Sequence, residues 1–293
     1  MPQKLVPVVL TLTGRNKIFR SKEAAQRHAA GRMVRPLPFA PPQRLRDDVS
    51  ITREDIEGWP VYSIVPRRSA PRGRTVFVHG GGWVNEIAAR HWQLAARIAA
   101  EAGTTVTVPI YPLVPRGTAE HVVRGVASLV QDSMDRDVGT RLFGDSAGGQ
   151  IALSATMRLR DAGTTLARTV LLSPAADLTW SNPRIDDVQP RDPWLRRPGG
   201  EYFGELWRAD LPATDPSVSP LYGDFEGMGP ISIFTGTRDI LNPDAHLLHD
   251  AARSAGVDVD FHEADGEVHV YALLPTARGK QDAQRIVDAL RVR

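Results

Sequence analysis

The chain contains no cysteine, which excludes several kinds of site. Disulfide bonds, thiolate nucleophiles and cysteine-ligated zinc or iron–sulfur centres are all excluded. An excess of charge of one sign is also lacking, because 36 basic residues face 34 acidic ones and the formal net charge is only +2. This balance gives no indication of a nucleic-acid partner, although the isoelectric point is about 9.1.

The sequence has no apolar stretch of the length that crosses a bilayer. Its N-terminal apolar run, Leu5–Leu12, is interrupted by Pro7 and followed by Arg15, Lys17 and Arg20. A small-residue cleavage site directly after the run is missing, so the run is not typical of a signal peptide. We therefore expect a soluble, cytoplasmic protein with no membrane span.

Internal repeats are absent as well, and a length of 293 residues suits one α/β domain with a small insertion. From about residue 61, short apolar runs alternate with helical patterns. This alternation predicts an α/β fold with a mostly parallel central sheet and helices on both faces. The predicted strands are 75–79, 104–110, 141–143, 169–172, 231–235 and 257–262, and the predicted helices are 86–102, 120–134, 148–159, 243–255 and 279–292.

Two regions depart from the alternation and are predicted to form a small cap. Residues 1–50 carry a proline cluster and one predicted helix at 21–32, for which Ser21 is the expected N-cap. The second region, residues 176–222, is predicted as a cap insertion within a main domain of residues 51–293. Its aromatic residues either line an apolar pocket or anchor the insertion to the domain: Trp180, Trp194, Tyr202, Phe203 and Trp207.

The segment Gly144–Gly148, Gly-Asp-Ser-Ala-Gly, lies between a predicted strand and a predicted helix and fits the Gly-x-Ser-x-Gly nucleophile elbow. A serine at that corner occupies a strained turn, and the flanking glycines leave room for the neighbouring strand and helix. The helix N-terminus adds positive partial charge where an oxyanion would form. The pattern predicts Ser146 as a nucleophile; the alternative is a glycine-rich turn with a solvent-facing serine.

A second glycine motif, His79–Trp83, reads His-Gly-Gly-Gly-Trp and follows a predicted strand. Consecutive glycines let the backbone approach a substrate and point N–H groups into a cleft, as the tetrahedral intermediates of acyl transfer require. A phosphate-binding loop is disfavoured because no Gly-Lys-Ser/Thr follows, which leaves a plain flexible turn as the alternative. Together the two motifs predict acyl-transfer chemistry.

At these residues the chain resembles the hormone-sensitive-lipase family of bacterial esterases, which belongs to the α/β-hydrolases. The resemblance is carried by His79–Trp83 and by Gly144–Gly149, Gly-Asp-Ser-Ala-Gly-Gly. It implies the α/β-hydrolase fold over residues 60–293, and residues 1–50 are similar in position to the family's N-terminal cap.

The same resemblance implies that Gly81, Gly82 and Ala147 supply the N–H groups of an oxyanion hole. The chain departs from the family pattern in two places. Residues Tyr111–Pro115 read Tyr-Pro-Leu-Val-Pro where the family has Tyr-Arg-Leu-Ala-Pro, and Asp244 follows Asp239 with unusual spacing.

A serine nucleophile needs a base, and the base needs an orienting carboxylate. In α/β-hydrolases the chain order is serine, acid, histidine. Of the four histidines after Ser146, His269 is predicted to stand in a loop after the last strand, whereas His246, His249 and His262 fall in a helix or strand.

For the acid, Asp239 follows the predicted strand 231–235. Asp244 is the competing carboxylate, but it lies at a predicted helix start, where the helix dipole explains an acidic residue without catalysis. The sequence therefore predicts a triad of Ser146, Asp239 and His269.

These residues predict a serine carboxylic-ester hydrolase that works through an acyl-enzyme intermediate without a metal or organic cofactor. The family resemblance implies small-molecule esters with short to medium acyl chains as substrates, and a homodimer is one option. An amidase or lactonase with the same triad is an alternative, as is a non-catalytic small-ligand receptor on this fold. A nucleotide-binding α/β protein is disfavoured because the glycine-rich turns carry no phosphate fingerprint.

Overall fold

The computed structural model describes residues 2–12, 14, 16–137 and 139–292, and its centre is one β-sheet. The strands are β1 (Val49–Ile56), β2 (Trp59–Pro66), β3 (Arg74–Val78), β4 (Thr105–Pro109), β5 (Arg141–Asp145), β6 (Arg168–Leu172), β7 (Ile231–Gly236) and β8 (Val259–Ala264). Their order across the sheet is β1-β2-β4-β3-β5-β6-β7-β8. Strands β3 to β8 run parallel, whereas β2 pairs antiparallel with both β1 and β4.

Helices cover both faces of this sheet. The helices in the described residues are α1 (Val6–Leu12), α2 (Lys22–Val34), α3 (Ala89–Ile98), α4 (Ala119–Arg136), α5 (Ala147–Asp161), α6 (Ile185–Val188), α7 (Arg197–Arg208), α8 (Asn242–Ser254) and α9 (Ala277–Ala289), of which α3, α4, α5, α8 and α9 cover the sheet. Side chains alternate between the two faces of a strand. Val76 and Val78 of β3 therefore pack in the cluster formed with α4, α5 and α8, whereas Phe77 packs with α3 and α9.

The prediction of a mostly parallel α/β sheet with helices on both faces is confirmed. Each predicted strand and helix of the alternating region occurs in the predicted order, and the bounds differ by a few residues. The hairpin of β1 and β2 was not indicated by the sequence. The middle of β1 is Thr52–Asp55, which is exposed and polar, so this edge strand lacks the apolar alternation by which strands are found. Because β1 begins at Val49, the predicted division at residue 50 falls within the hairpin, and this division stays a prediction.

The two predicted cap regions pack against each other and against the glycine motif at residues 79–83. Ser21 is the N-cap of α2, as predicted, and its Oγ accepts a hydrogen bond from Ala24 N–H at 3.2 Å. In the insertion, the ring of Phe203 on α7 lies edge-on to Phe19, with ring centroids 5.6 Å apart. Trp207 stacks on Trp83 at 5.7 Å. Phe203 and Trp207 thus anchor the insertion, which was one of the two alternatives for its aromatic residues. Within the described ranges, no helix combines the length and the apolar character that a membrane span requires.

Replacing either of two helical glycines with alanine is predicted to change stability in opposite directions. A Cβ on Gly125 in α4 would lie 2.5 Å from the Trp59 ring, whereas a Cβ on Gly31 in α2 would meet nothing within 4 Å. We expect Gly125→Ala to lower the free energy of unfolding by about 1–3 kcal/mol through overpacking. Gly31→Ala should raise it by up to about 1 kcal/mol because alanine restricts the unfolded chain. Urea unfolding of both variants tests this pair, and equal effects would contradict the packing of α4 on β2.

Candidate active site

The elbow at Ser146 joins β5 to α5 in a turn that only small neighbours permit. Ser146 has φ 53° and ψ −121°, a strained backbone conformation for a residue with a side chain. A Cβ on Gly144 would lie 2.2 Å from the Gly148 carbonyl oxygen, and a Cβ on Gly148 would lie 2.2 Å from the Val78 carbonyl oxygen. The Ser146 N–H donates to Leu172 O on β6 at 2.9 Å, which holds the turn against the neighbouring strand.

Three side chains from separate loops meet at the carboxyl edge of the sheet. The Ser146 hydroxyl lies 2.8 Å from His269 Nε2, and His269 Nδ1 lies 2.8 Å from Asp239 Oδ2. His269 and Asp239 are buried. Ser146 follows β5, Asp239 follows β7 and His269 follows β8, so the parallel strands bring together residues that are far apart in the chain. Ser146, Asp239 and His269, the residues predicted as a triad, therefore form one hydrogen-bonded chain.

The competing candidates lie elsewhere. Asp244 is in the first turn of α8, and its Oδ1 accepts a hydrogen bond from Asn182 Nδ2 at 2.8 Å. Burial raises the pKa of Asp244 to about 7. The three other histidines after Ser146 pair with carboxylates: His246 with Glu263, His249 with Asp250 and His262 with Asp260.

The electrostatic surroundings of His269 favour its protonated form. Burial alone lowers the pKa of an imidazole, because it removes water from the charged form. The charge of Asp239 and its hydrogen bond oppose this effect, and the charges of Asp192 and Asp145 add to them. The net result is that the pKa of His269 is raised above its usual value.

The glycine motif lies beside Ser146, and its backbone is left-handed at two of its glycines. Gly81 has φ 138° and Gly82 has φ 62°, conformations that favour glycine. Within the described ranges, no hydrogen bond uses the N–H group of Gly81 or Gly82. Ala147 is the first residue of α5, where a helix leaves N–H groups without an internal partner. These three residues, predicted as the oxyanion hole, therefore have N–H groups available for a ligand.

Asp145 joins the elbow to the glycine motif, a role that the sequence did not reveal. Its Oδ1 accepts the Gly80 N–H at 3.0 Å, and its Oδ2 lies 3.2 Å from His91 Nε2. The Ala88 N–H donates to His91 Nδ1, so the imidazole proton is on Nε2 and points to Asp145. The x position of Gly-x-Ser-x-Gly thus fixes the backbone just before Gly81.

Tyr111 supports the glycine motif from the other side. Its hydroxyl donates to the His79 carbonyl oxygen at 2.7 Å, and its ring stacks on the His79 imidazole with centroids 4.5 Å apart. Val114 N–H donates to Trp83 O at 2.9 Å. The segment Tyr111–Pro115 therefore contacts both ends of the motif, although its sequence departs from the family pattern. Burial lowers the pKa of His79 to about 4, so this imidazole is neutral at neutral pH.

A cavity of about 260 Å³ lies next to the glycine motif. Its wall includes Val84 and Glu86 just after the motif, residues Pro112–Arg116, and residues Arg32, Met33, Pro36, Leu37 and Phe39 of the predicted N-terminal cap. The sequence had suggested aromatic residues of the insertion as a pocket wall. Of these, Trp194 lies at the triad, where its ring meets the His269 ring edge-on at 5.7 Å.

Comparisons with known proteins identify the family of the chain. The model of a family described as having the α/β-hydrolase fold matches residues 75–273. An acetyl-hydrolase from Streptomyces hygroscopicus is 32% identical over 205 residues, which are 68% of this chain and 68% of that protein. A triacylglycerol lipase from Mycobacterium tuberculosis is 32% identical over 224 residues. This match includes 74% of the chain but only 46% of the lipase, so the chain spans less than half of that relative's length.

A solved structure gives the same result at the level of the fold. The crystal structure of an esterase from the bacterial hormone-sensitive-lipase family superposes with a TM-score of 0.76 and 28% sequence identity. The superposition covers 93% of this chain and 91% of that one. The resemblance that the two glycine motifs indicated is therefore confirmed, and this chain belongs to the α/β-hydrolase family, in the group of bacterial esterases related to hormone-sensitive lipase.

Proposed function

We propose that this protein is a serine hydrolase of carboxylic esters, with Ser146 as nucleophile, His269 as general base and Asp239 as the acid that orients the base. One observation carries the proposal: two contacts of 2.8 Å link the hydroxyl of half-buried Ser146 to a buried imidazole and that imidazole to a buried carboxylate. This is the arrangement by which an otherwise weak nucleophile is activated. The acetyl-hydrolase and lipase names of the relatives support the same class of reaction.

The proposed reaction has two steps. His269 Nε2 takes the proton of Ser146 Oγ while Oγ attacks the ester carbonyl carbon, and the N–H groups of Gly81, Gly82 and Ala147 hold the resulting oxyanion. His269 then gives that proton to the leaving alcohol, which produces the acyl-enzyme. In the second step a water molecule loses a proton to His269 and attacks the acyl carbon, and Ser146 regains its proton when the carboxylic acid leaves.

The remaining parts of the chain supply the walls of the site. In this proposal residues 1–50 and about 176–222 act as the cap, and the rest of residues 51–293 form the catalytic domain. Trp194 of the insertion contacts the His269 ring, and residues of the N-terminal cap line the cavity beside the glycine motif. Esters with short to medium acyl chains are proposed as substrates on the family resemblance, and the cavity of about 260 Å³ does not bear on chain length because no triad residue lines it. A series of p-nitrophenyl esters of increasing acyl length measures this preference.

The nucleophile is tested by Ser146→Ala. We expect kcat for p-nitrophenyl acetate to fall by at least about 10³-fold, because removal of a triad nucleophile leaves only binding and oxyanion stabilisation. Ser128→Ala is the matched control, since Ser128 is an exposed serine on α4. An organophosphate should label Ser146 at one equivalent per chain, detected by mass spectrometry of peptides. Labelling of a different serine, or ligand binding without turnover in the wild type, would contradict the proposal.

The base is tested by the pH dependence of kcat/KM. Only neutral His269 accepts the serine proton, so activity should fall as the pH is lowered through the pKa of His269. Because that pKa is raised, the half-maximal point of the acidic limb should lie above 6.5. Circular dichroism over the same pH range controls for unfolding. A limb centred well below 6.5 would show that another group limits the rate.

The support of the oxyanion hole is tested by Tyr111→Phe. The substitution leaves the buried His79 carbonyl without its donor, which should cost about 1–3 kcal/mol of stability. A shifted glycine motif should also lower kcat by about 10-fold with little change in KM, because oxyanion donors act in the transition state. Tyr222→Phe removes a hydroxyl from an exposed tyrosine and is the control. Wild-type kcat in Tyr111→Phe would exclude this role.

A further inference from the structure

Asp192 is a fully buried carboxylate in the insertion, and the proposed mechanism does not use it. Its Oδ1 accepts the N–H groups of Trp194 at 2.7 Å and Leu195 at 3.0 Å, which closes a tight turn. Its Oδ2 accepts the N–H of Ile240 at 3.0 Å. Ile240 directly follows Asp239, so this carboxylate of the insertion holds the backbone next to the proposed catalytic acid.

We propose that Asp192 is a positioning residue for the triad: it fixes the loop that carries Asp239 and places a second negative charge near His269. The inference rests on the proposed function, because it assigns a role within the same site. The loop in question is residues 236–241, called the acid loop below.

The acid loop is held to the insertion at two neighbouring points. Besides the bond from Ile240 to Asp192, Arg238 Nε donates to the Arg191 carbonyl oxygen at 3.2 Å. Within the loop, Leu241 N–H donates to Asp239 Oδ1 at 3.0 Å, which leaves Oδ2 facing His269. A shift of the Ile240 backbone would therefore rotate the Asp239 carboxylate, since Asp239 lies between the two tethered residues.

The same carboxylate also places a side chain against the base. The turn that Asp192 closes carries Trp194, whose ring meets His269 edge-on at 5.7 Å. Asn16 Nδ2 donates to the Pro193 carbonyl oxygen at 3.2 Å, so the N-terminal segment steadies this turn from outside. Asp192 is thus linked to Asp239 through Ile240 and to His269 through Trp194.

The charge of Asp192 acts in addition to its hydrogen bonds. The charges of three carboxylates, Asp239, Asp192 and Asp145, favour the imidazolium of His269. Asp192 itself faces Asp239, and the Arg196 guanidinium contacts its main-chain oxygen. Burial and the charge of Asp239 raise the pKa of Asp192 to about 6, so at neutral pH it is ionised and held by the three N–H donors.

Asp192→Asn separates this role from that of the triad itself. An asparagine has one accepting oxygen and one NH₂ group. Its oxygen can accept from Trp194 and Leu195 or from Ile240, but its NH₂ group then meets the N–H groups on the opposite side. We expect kcat to fall by about 10-fold or more while KM stays within about twofold, because orientation is lost and binding is kept. The loss of one negative charge should move the acidic limb of kcat/KM to lower pH by about 0.5–1 unit.

Asp215→Asn is the matched control. Asp215 also lies in the insertion and closes a turn through a 2.8 Å hydrogen bond from Ser217 N–H, so the same chemical change is made in a similar turn. It should leave kcat and the acidic limb unchanged. An acidic limb in Asp192→Asn at the wild-type position would overturn the inference, whatever the loss of activity, because the charge of Asp192 would then have no effect on His269.

Asp192→Glu gives the second test and replaces the first if Asp192→Asn does not fold. It keeps the charge but adds a methylene group in a fully buried position, so the three hydrogen bonds cannot all keep their geometry. We expect a lower kcat with the acidic limb near its wild-type position, and wild-type kcat would overturn the inference. The proposed function fails separately, through ester turnover that survives Ser146→Ala, and it stands if only the Asp192 variants behave like the wild type.

Discussion

The close approach of helix α5 to strand β3 is the constraint on which the site depends. A Cβ on Gly148 would lie 2.2 Å from Val78 O and 2.6 Å from His79 O, so no side chain fits between the helix start and the strand end. Gly80 is equally confined, since a Cβ there would lie 2.9 Å from Ser146 Cβ. The serine elbow and the glycine motif therefore form one packed unit, although 65 residues separate Gly80 from Asp145. Ser146 lies at the corner of this unit and has a positive φ.

Such a contact also forces polar groups into the interior, and each needs a partner. Asp145 is buried with its two oxygens facing Gly80 N–H and His91, and Tyr111 satisfies the His79 carbonyl. These bonds hold the glycine motif in one place without any contribution from a substrate. An oxyanion hole benefits from such preorganisation, because its donors then require no rearrangement when charge develops.

The sequence predicted the parts of the site that local pattern determines. Gly144–Gly148 and His79–Trp83 are short motifs between a strand and a helix, and the chain order of serine, acid and histidine pointed to Asp239 and His269. The family resemblance singled out Tyr111–Pro115 but not the contact that Tyr111 makes, and it did not indicate Asp192, because both contacts join segments 32 and 48 residues apart. Strand β1 was missed for a different reason: most of this edge strand is exposed, so burial imposes no alternating pattern on its middle residues.

The proposed triad is distributed over three loops, and the insertion proposed as a cap contacts one of them. Ser146 is fixed by the elbow, but Asp239 and His269 follow β7 and β8 at the side of the sheet away from the glycine motif. There the acid loop is tied to residues Arg191 and Asp192. The cavity beside the glycine motif is lined instead by the N-terminal segment and by residues Pro112–Arg116. The wall of this cavity and the clamp on the acid loop therefore use different residues, so a substitution in the wall leaves the contacts that align Asp239 and His269 in place.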